Sequence, residues 1–321
     1  MKAWQVHELG EPQDVLRWVD LPDPVAGPGQ LRVKVDAVAL NFPDILLCKG
    51  MYQEKPPLPF TPGMEVCGTV LDGPRTGERV IGGPGLPHGG LAEQVLLPEA
   101  GAFGVPEDMS AAKAAGLLIT YQTGYVGLHR RGQLKAGETL LVHAGAGGVG
   151  SAAIQIGKAA GARVIATAGG PDKVQVCRDL GADVVIDYTA DDFVSIVKDA
   201  TDGNGADVIY DSVGGDIFDK SRRCIAFEGR IVVVGFAGGR IADAPTNHAL
   251  VKNYSVVGLH WGLYRHKDPA VIPATHAALM DLWSRGLIDP LIGAELPLSD
   301  APAALTRLGQ RGTVGKVVLL P

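Results

Sequence analysis

No pair of cysteines in this chain has the spacing of a metal or redox motif. Only four occur, Cys48, Cys67, Cys177 and Cys224, with no CxxC and no histidine at ligand spacing. They are expected to be reduced core thiols, and a disulfide-stapled miniprotein is excluded. Basic charge is not in excess either. Twenty-nine Lys and Arg against 35 Asp and Glu leave a formal charge of -6, which excludes a surface built around DNA phosphate. No apolar run approaches the roughly 18 residues of a membrane span, and His7 and Glu8 fall where a signal peptide needs its apolar stretch. A cytoplasmic chain with no membrane or nucleic-acid partner is expected. Aromatic residues are scarce at 6%, but 46% apolar and 20% charged residues are ordinary for a folded soluble protein and exclude disorder.

Glycine, by contrast, is abundant. The 44 glycines are about twice the usual share, which predicts many tight turns and close backbone approaches. At about 150 residues per domain, the length fits two domains. Sequence texture changes near residue 120. Before it, short β-rich runs such as 31–35 and 68–71 alternate with Pro and Gly clusters at 56–59 and 82–85, the pattern of an irregular, mostly antiparallel barrel. After it, strands at 139–143, 163–167, 184–186, 207–211, 230–235 and 255–258 alternate with helices at 149–160, 171–180, 191–200 and 216–226. Six strands joined by crossovers make an α/β fold with a doubly wound parallel sheet. A helix at 270–285 and a strand at 315–320 are expected to rejoin the first domain. The expected domains are therefore 1–118 with 264–321, and 119–263, with ligands bound in a cleft between them.

Between the first strand and first helix of the second domain lie Gly145, Ala146, Gly147, Gly148, Val149 and Gly150. They satisfy GxGxxG in the context that gives it meaning: an apolar strand before, a helix after, a second strand within thirty residues. The glycines allow a tight turn and close approach of backbone to a pyrophosphate, which sits on the positive helix N-terminus. An NAD site would carry an acid at the end of the second strand to hold the ribose hydroxyls. Here Gly169 and Gly170 leave room instead, and Lys173 lies in the first turn of the next helix. A cation there suits a 2'-phosphate, which favours NADPH; Asp172, beside it, is also ordinary helix N-terminal chemistry.

Three further runs carry a resemblance: Asn41-Phe42-Pro43-Asp44, Lys49-Gly50-Met51-Tyr52, and Pro62-Gly63-Met64-Glu65-Val66-Cys67-Gly68-Thr69-Val70, extended by 121–128, 143–150 and 315–318. In order and spacing they resemble the zinc-free quinone oxidoreductase branch of the medium-chain dehydrogenases/reductases, which includes zeta-crystallin. The run 48–70 is most like the quinone oxidoreductase-like protein 2 subfamily. The resemblance implies a GroES-like β-barrel plus a Rossmann domain, in a homodimer joined by the last Rossmann strands. Zinc relatives carry a Cys three residues before the Asp and a His one residue before the Glu. Asn41 and Met64 stand there instead, so no metal is expected.

The resemblance also implies site residues. Asn41, Tyr52 and Asp44 form the catalytic group, with Tyr52 donating a hydrogen bond or proton to the reduced oxygen or to a bound water. Tyr188 contacts the adenosine phosphate, Thr123 with Gly235, Phe236 and Ala237 lines the nicotinamide half, and Lys316 closes over a phosphate. Many relatives place a Ser before the phosphate-binding Lys, and Gly169 and Gly170 occupy that region here.

Without a metal Lewis acid, conjugated acceptors are the expected substrates, because hydride addition to a quinone, enone or enoyl thioester gives a delocalised anion. Reduction of quinones or small conjugated carbonyls is expected first, and reduction of a 2-enoyl thioester second. The only basic runs for a thioester's phosphates are Arg130-Arg131 and Arg265-His266-Lys267. A catalytically weak NADPH-binding protein is the third alternative.

Overall fold

A computed structural model describes residues 1–321. The chain divides into two compact units, Met1–Ile119 with Pro290–Pro321, and Thr120–Asp289.

The first unit is built around the strand Gln30–Ala39, whose alternating Leu31, Val33 and Val35 point inward, the period of a half-buried strand. It pairs antiparallel with Val66–Val70, Gln94–Pro98 and the C-terminal strand Lys316–Leu320. The last of these also pairs parallel with Ile292–Pro297, while Arg79–Gly82 and Phe103–Gly104 complete the seven-stranded sheet. Val33, Val66, Val80, Leu97, Val317 and Leu319 share one core. This is the irregular, mostly antiparallel barrel expected from the β-rich texture, and the GroES-like barrel that the resemblance implies.

The second unit holds a six-stranded, all-parallel sheet. Its order is Val184–Asp187, Arg163–Ala168, Thr139–Val142, Ala206–Asp211, Ile225–Val233, Ser255–Gly258. Continuous Val and Ile runs suit strands covered on both faces, and the doubly wound order is that of a Rossmann sheet.

Two expectations need correction. The helix expected at 216–226 is shorter, Gly215–Ser221, and Ile225 and Ala226 already belong to the next strand. Ala206 pairs with Ile225, but Val208 pairs with Arg230. Glu228 takes up the extra length at φ +56°, a bulge that periodicity does not reveal. The second domain boundary also lies later than expected, because residues 264–289 pack into the nucleotide unit. Arg130 bonds Asp268 at 2.9 Å and stacks on Tyr264. Tyr121 and Gln155 both donate to the Asp289 carbonyl.

All four cysteines are buried and free, and burial pushes each thiol up to about 12. No helix is long and apolar enough to cross a membrane.

His143, just past the first strand of the nucleotide unit, is fully enclosed. Ser221 donates to the Ile217 carbonyl, so His143 Nε2 donates to Ser221 Oγ at 2.8 Å, and Nδ1 accepts from Thr167 Oγ1 at 3.0 Å. Burial pushes its pKa down to about 4, with Asp211 opposing. A histidine depressed below its ordinary 6.5 favours folding above that value and loses its contribution as pH falls toward 4. The loss amounts to about 3 kcal/mol. In thermal melts from pH 8 to pH 4, His143→Leu is therefore expected to be less acid-sensitive than the wild type. Parallel profiles would show that His143 is not held neutral.

Candidate active site

The site residues expected from the sequence fall into two groups, one in each unit. In the barrel unit, Asn41 is the N-cap of the short helix Phe42–Cys48. Asp44, three residues on, accepts from the Asn41 backbone N–H at 2.8 Å and from the Gly63 N–H at 2.9 Å. The Asn41 side chain is turned to the Asp44 backbone N–H, which makes this a capping box. With both oxygens so engaged and no exposure, Asp44 shapes the turn and has no surface to offer a substrate. Burial raises its carboxyl to about 6, against the pull of those two N–H groups and of Lys316. Tyr52 is half-buried and packs on the barrel core, as does Met64.

Lys316, expected from the sequence to close over a cofactor phosphate, is instead 4% exposed in the barrel interior. Its ammonium donates to Leu40 O at 2.7 Å, Asn41 Oδ1 at 2.7 Å and Glu65 Oε1 at 2.8 Å. All three N–H groups are used, which leaves none for a phosphate. Asn41 Nδ2 in turn donates to Glu65 Oε1 at 2.9 Å and Ala39 O at 3.2 Å. The other oxygen of Glu65 accepts from the Ile119 N–H at 2.7 Å. Glu65 is thus a site residue to which sequence reasoning assigned no role. Its one signal was an acid embedded in the apolar run Met64-Glu65-Val66-Cys67, where a charge is retained only if paired.

In the nucleotide unit, Gly147 caps the helix Gly148–Ala159, and Ala146 is buried in the turn before it. A Cβ at Gly150 would lie 2.2 Å from the Ala144 carbonyl oxygen, so only glycine fits. Ala144 itself holds φ +52°, strain of the kind found where a loop is shaped around a ligand. The second strand, Arg163–Ala168, runs into Gly169 and Gly170, with Lys173 in the first turn of the helix Pro171–Asp179. A Cβ at 169 would lie 2.6 Å from the Tyr188 hydroxyl. The half-exposed ring therefore rests against Gly169, and two residues chosen separately from the sequence meet. Asp187, which the sequence did not single out, accepts from the Gly170 N–H at 3.0 Å and fixes this turn. Thr123 lies on the helix Leu118–Tyr125, and the Ala237 N–H donates to Ser212 O. At the carboxyl edge of the sheet, Asp211 Oδ1 accepts from Val213 and Gly214, while its buried Oδ2 has no hydrogen-bond partner. A nucleotide fits this edge: a glycine-lined turn, a helix N-terminus and a waiting acceptor.

Residues 27–107 match the alcohol dehydrogenase GroES-like domain, and residues 148–277 match the zinc-binding dehydrogenase family. Quinone oxidoreductase-like protein 2 of Mus musculus is 41% identical over 93% of this chain and 86% of its own. The chain belongs to the quinone oxidoreductase branch of the medium-chain dehydrogenases/reductases. The homologue of that protein in Nematostella vectensis is 39% identical over 99% of this chain and 88% of its own. The solved quinone oxidoreductase of Thermus thermophilus, described also in its complex with NADPH, is 34% identical with TM-score 0.89 over 100% of both chains. As a member of this branch, the protein is an oxidoreductase. The zinc in the family description does not fit the residues present. No group of three His, Cys, Asp or Glu side chains stands together to hold a metal ion. The Asn41 oxygen already accepts from the buried Lys316 ammonium.

Asp44 offers a check of the barrel half. Its folded pKa, about 6, lies above the ordinary 3.8, so the folded state takes up the proton first and this group favours folding as pH falls from 6 toward 4. Asp44→Asn lacks that gain, which is worth about 3 kcal/mol. Its melting temperature should drop further below the wild type at pH 4.5 than at pH 7.5, opposite in sign to His143→Leu. A constant difference would place the Asp44 pKa near its ordinary value.

Proposed function

We propose that the chain, an NADPH-dependent oxidoreductase, reduces quinones and similar small conjugated carbonyls without a metal ion. The observation that carries this reading is the 2.7 Å contact between the Lys316 ammonium and Asn41 Oδ1, with the thioether of Met64 at the other position that zinc relatives use. An amide already bound to an ammonium and a thioether do not make a tetrahedral zinc site. Reducing an isolated ketone leaves a localised alkoxide, which a metal commonly stabilises. A quinone or enal spreads the charge instead, and one hydrogen-bond donor suffices. The Tyr52 phenol is that donor, on a barrel core that holds its ring.

When bound, NADPH supplies the hydride. The turn from Ala146 to Gly150 and the N-terminus of Gly148–Ala159 would hold its pyrophosphate. Lys173, with room left by Gly169, would hold its 2'-phosphate, Tyr188 would contact the adenosine phosphate, and Thr123, Gly235, Phe236 and Ala237 would line its nicotinamide half. A homodimer is expected through Ser255–Gly258, whose outer edge has no partner strand.

A thioester substrate is less well supported. Arg130 is engaged by Asp268 and Tyr264, Arg131 by the Gly258 carbonyl, and Arg265 lies over Trp261. Three of the five residues of these basic runs are thus engaged within the unit itself.

Turnover of 1,2-naphthoquinone, an enal and crotonyl-CoA, each with NADPH and NADH, tests the reading. The quinone with NADPH should be fastest. A preference for crotonyl-CoA would make the protein a thioester reductase, and tight NADPH binding with no turnover would make it a binding protein. For the cofactor, a hydrogen bond to a charged group is worth about 1.5 to 3 kcal/mol, so Lys173→Ala should raise the Kd for NADPH roughly 10-fold to 150-fold. The Kd for NADH should hardly move. Equal losses for both cofactors would assign the effect to helix geometry.

A further inference from the structure

We infer that Lys316 and Glu65 are positioning residues that lock the Asn41 side chain in one orientation, so that its NH2 is withheld from the acceptor site. This rests on the reading that Asn41 lies at that site.

The three groups form a closed ring. Lys316 Nζ donates to Asn41 Oδ1, Asn41 Nδ2 donates to Glu65 Oε1, and the same Glu65 oxygen receives the ammonium. Both hydrogens of the Asn41 amide are spent, one on Glu65 and one on Ala39 O, and its oxygen is held by the ammonium and turned to the Asp44 N–H of the capping box. A flipped amide would set an NH2 against the ammonium and an oxygen against both the Glu65 carboxylate and the Ala39 carbonyl. Those contacts lie at 2.7 to 3.2 Å, so the flip is repulsive at both ends. Glu65 cannot swing away to relieve it, because its second oxygen holds the Ile119 N–H and its side chain is fully buried. Lys316 is likewise anchored by Leu40 O.

The ring divides the work at the site. With both N–H groups spent, Asn41 cannot donate to a carbonyl oxygen. Donation to the acceptor oxygen is left to Tyr52. Fixing a group before the ligand arrives removes a reorganisation that would otherwise fall within the reaction.

The test uses the full-length double variant Lys316→Met with Glu65→Gln, which removes both charges at similar volume and leaves no uncompensated buried ion. Solvent exchange of the Asn41 side-chain amide hydrogens is read by NMR with labelled asparagine, and NADPH Kd and kcat with 1,2-naphthoquinone are read well below the melting temperature. Faster amide exchange is expected, with kcat lowered roughly 10-fold to 100-fold and the NADPH Kd unchanged. Wild-type amide exchange and kcat, with only a lower melting temperature, would overturn the inference by reducing the ring to a structural tie. Should the double variant not fold, Lys316→Arg keeps the pairing with Glu65. Its planar guanidinium cannot reproduce three diverging ammonium bonds, and the same readouts decide. Absence of quinone turnover in the wild type would instead defeat the functional reading, and amide exchange would still decide whether the lock exists.

Discussion

A buried ammonium must be surrounded by acceptors or it does not stay charged, and in the barrel unit that requirement falls on Lys316. Its partners come from the end of the central strand and from the turn before Val66–Val70. The C-terminal strand is therefore tied at its first residue to both segments that build the candidate site. Removing one member of such a pair costs about 3 to 5 kcal/mol, because the other charge is left buried and alone. The same bonds that complete the barrel also decide how Asn41 points. Asp44, next to this network, holds the opposite wall of the turn through Gly63.

The nucleotide unit depends less on charge than on space. At Gly150 a side chain would collide with backbone, and at Gly169 it would displace Tyr188. Asp187 sets the turn between them and the helix carrying Lys173. Beneath this surface, His143 joins two strands to the helix Gly215–Ser221 as a neutral ring. Asp44 and His143 are both shifted by burial, yet in opposite senses for stability. Burial disfavours the charged form of each, so acid relieves the carboxyl and burdens the imidazole. These two groups thus respond oppositely to the same change in pH.

Much of the fold and half of the candidate site were legible in the amino-acid order, because they rest on local rules. Alternation marked the barrel strands, apolar runs marked the parallel sheet, and the glycines at 145, 147 and 150 marked the nucleotide turn, where a side chain at 150 would strike the Ala144 carbonyl. Asn41 and Met64 stand, by the resemblance, where zinc relatives carry ligands. What the sequence did not disclose depends on residues far apart in the chain. The strand bulge at Glu228 and the packing of residues 264–289 with Arg130, Tyr121 and Gln155 were decided by tertiary contacts. So was the place of Lys316, a lysine near a chain end that reads as a surface cation until a strand pairing carries it 275 residues back to Asn41. Periodicity reports which face of an element is buried. It does not report which buried charges meet, since that depends on how elements distant in sequence come together in the fold.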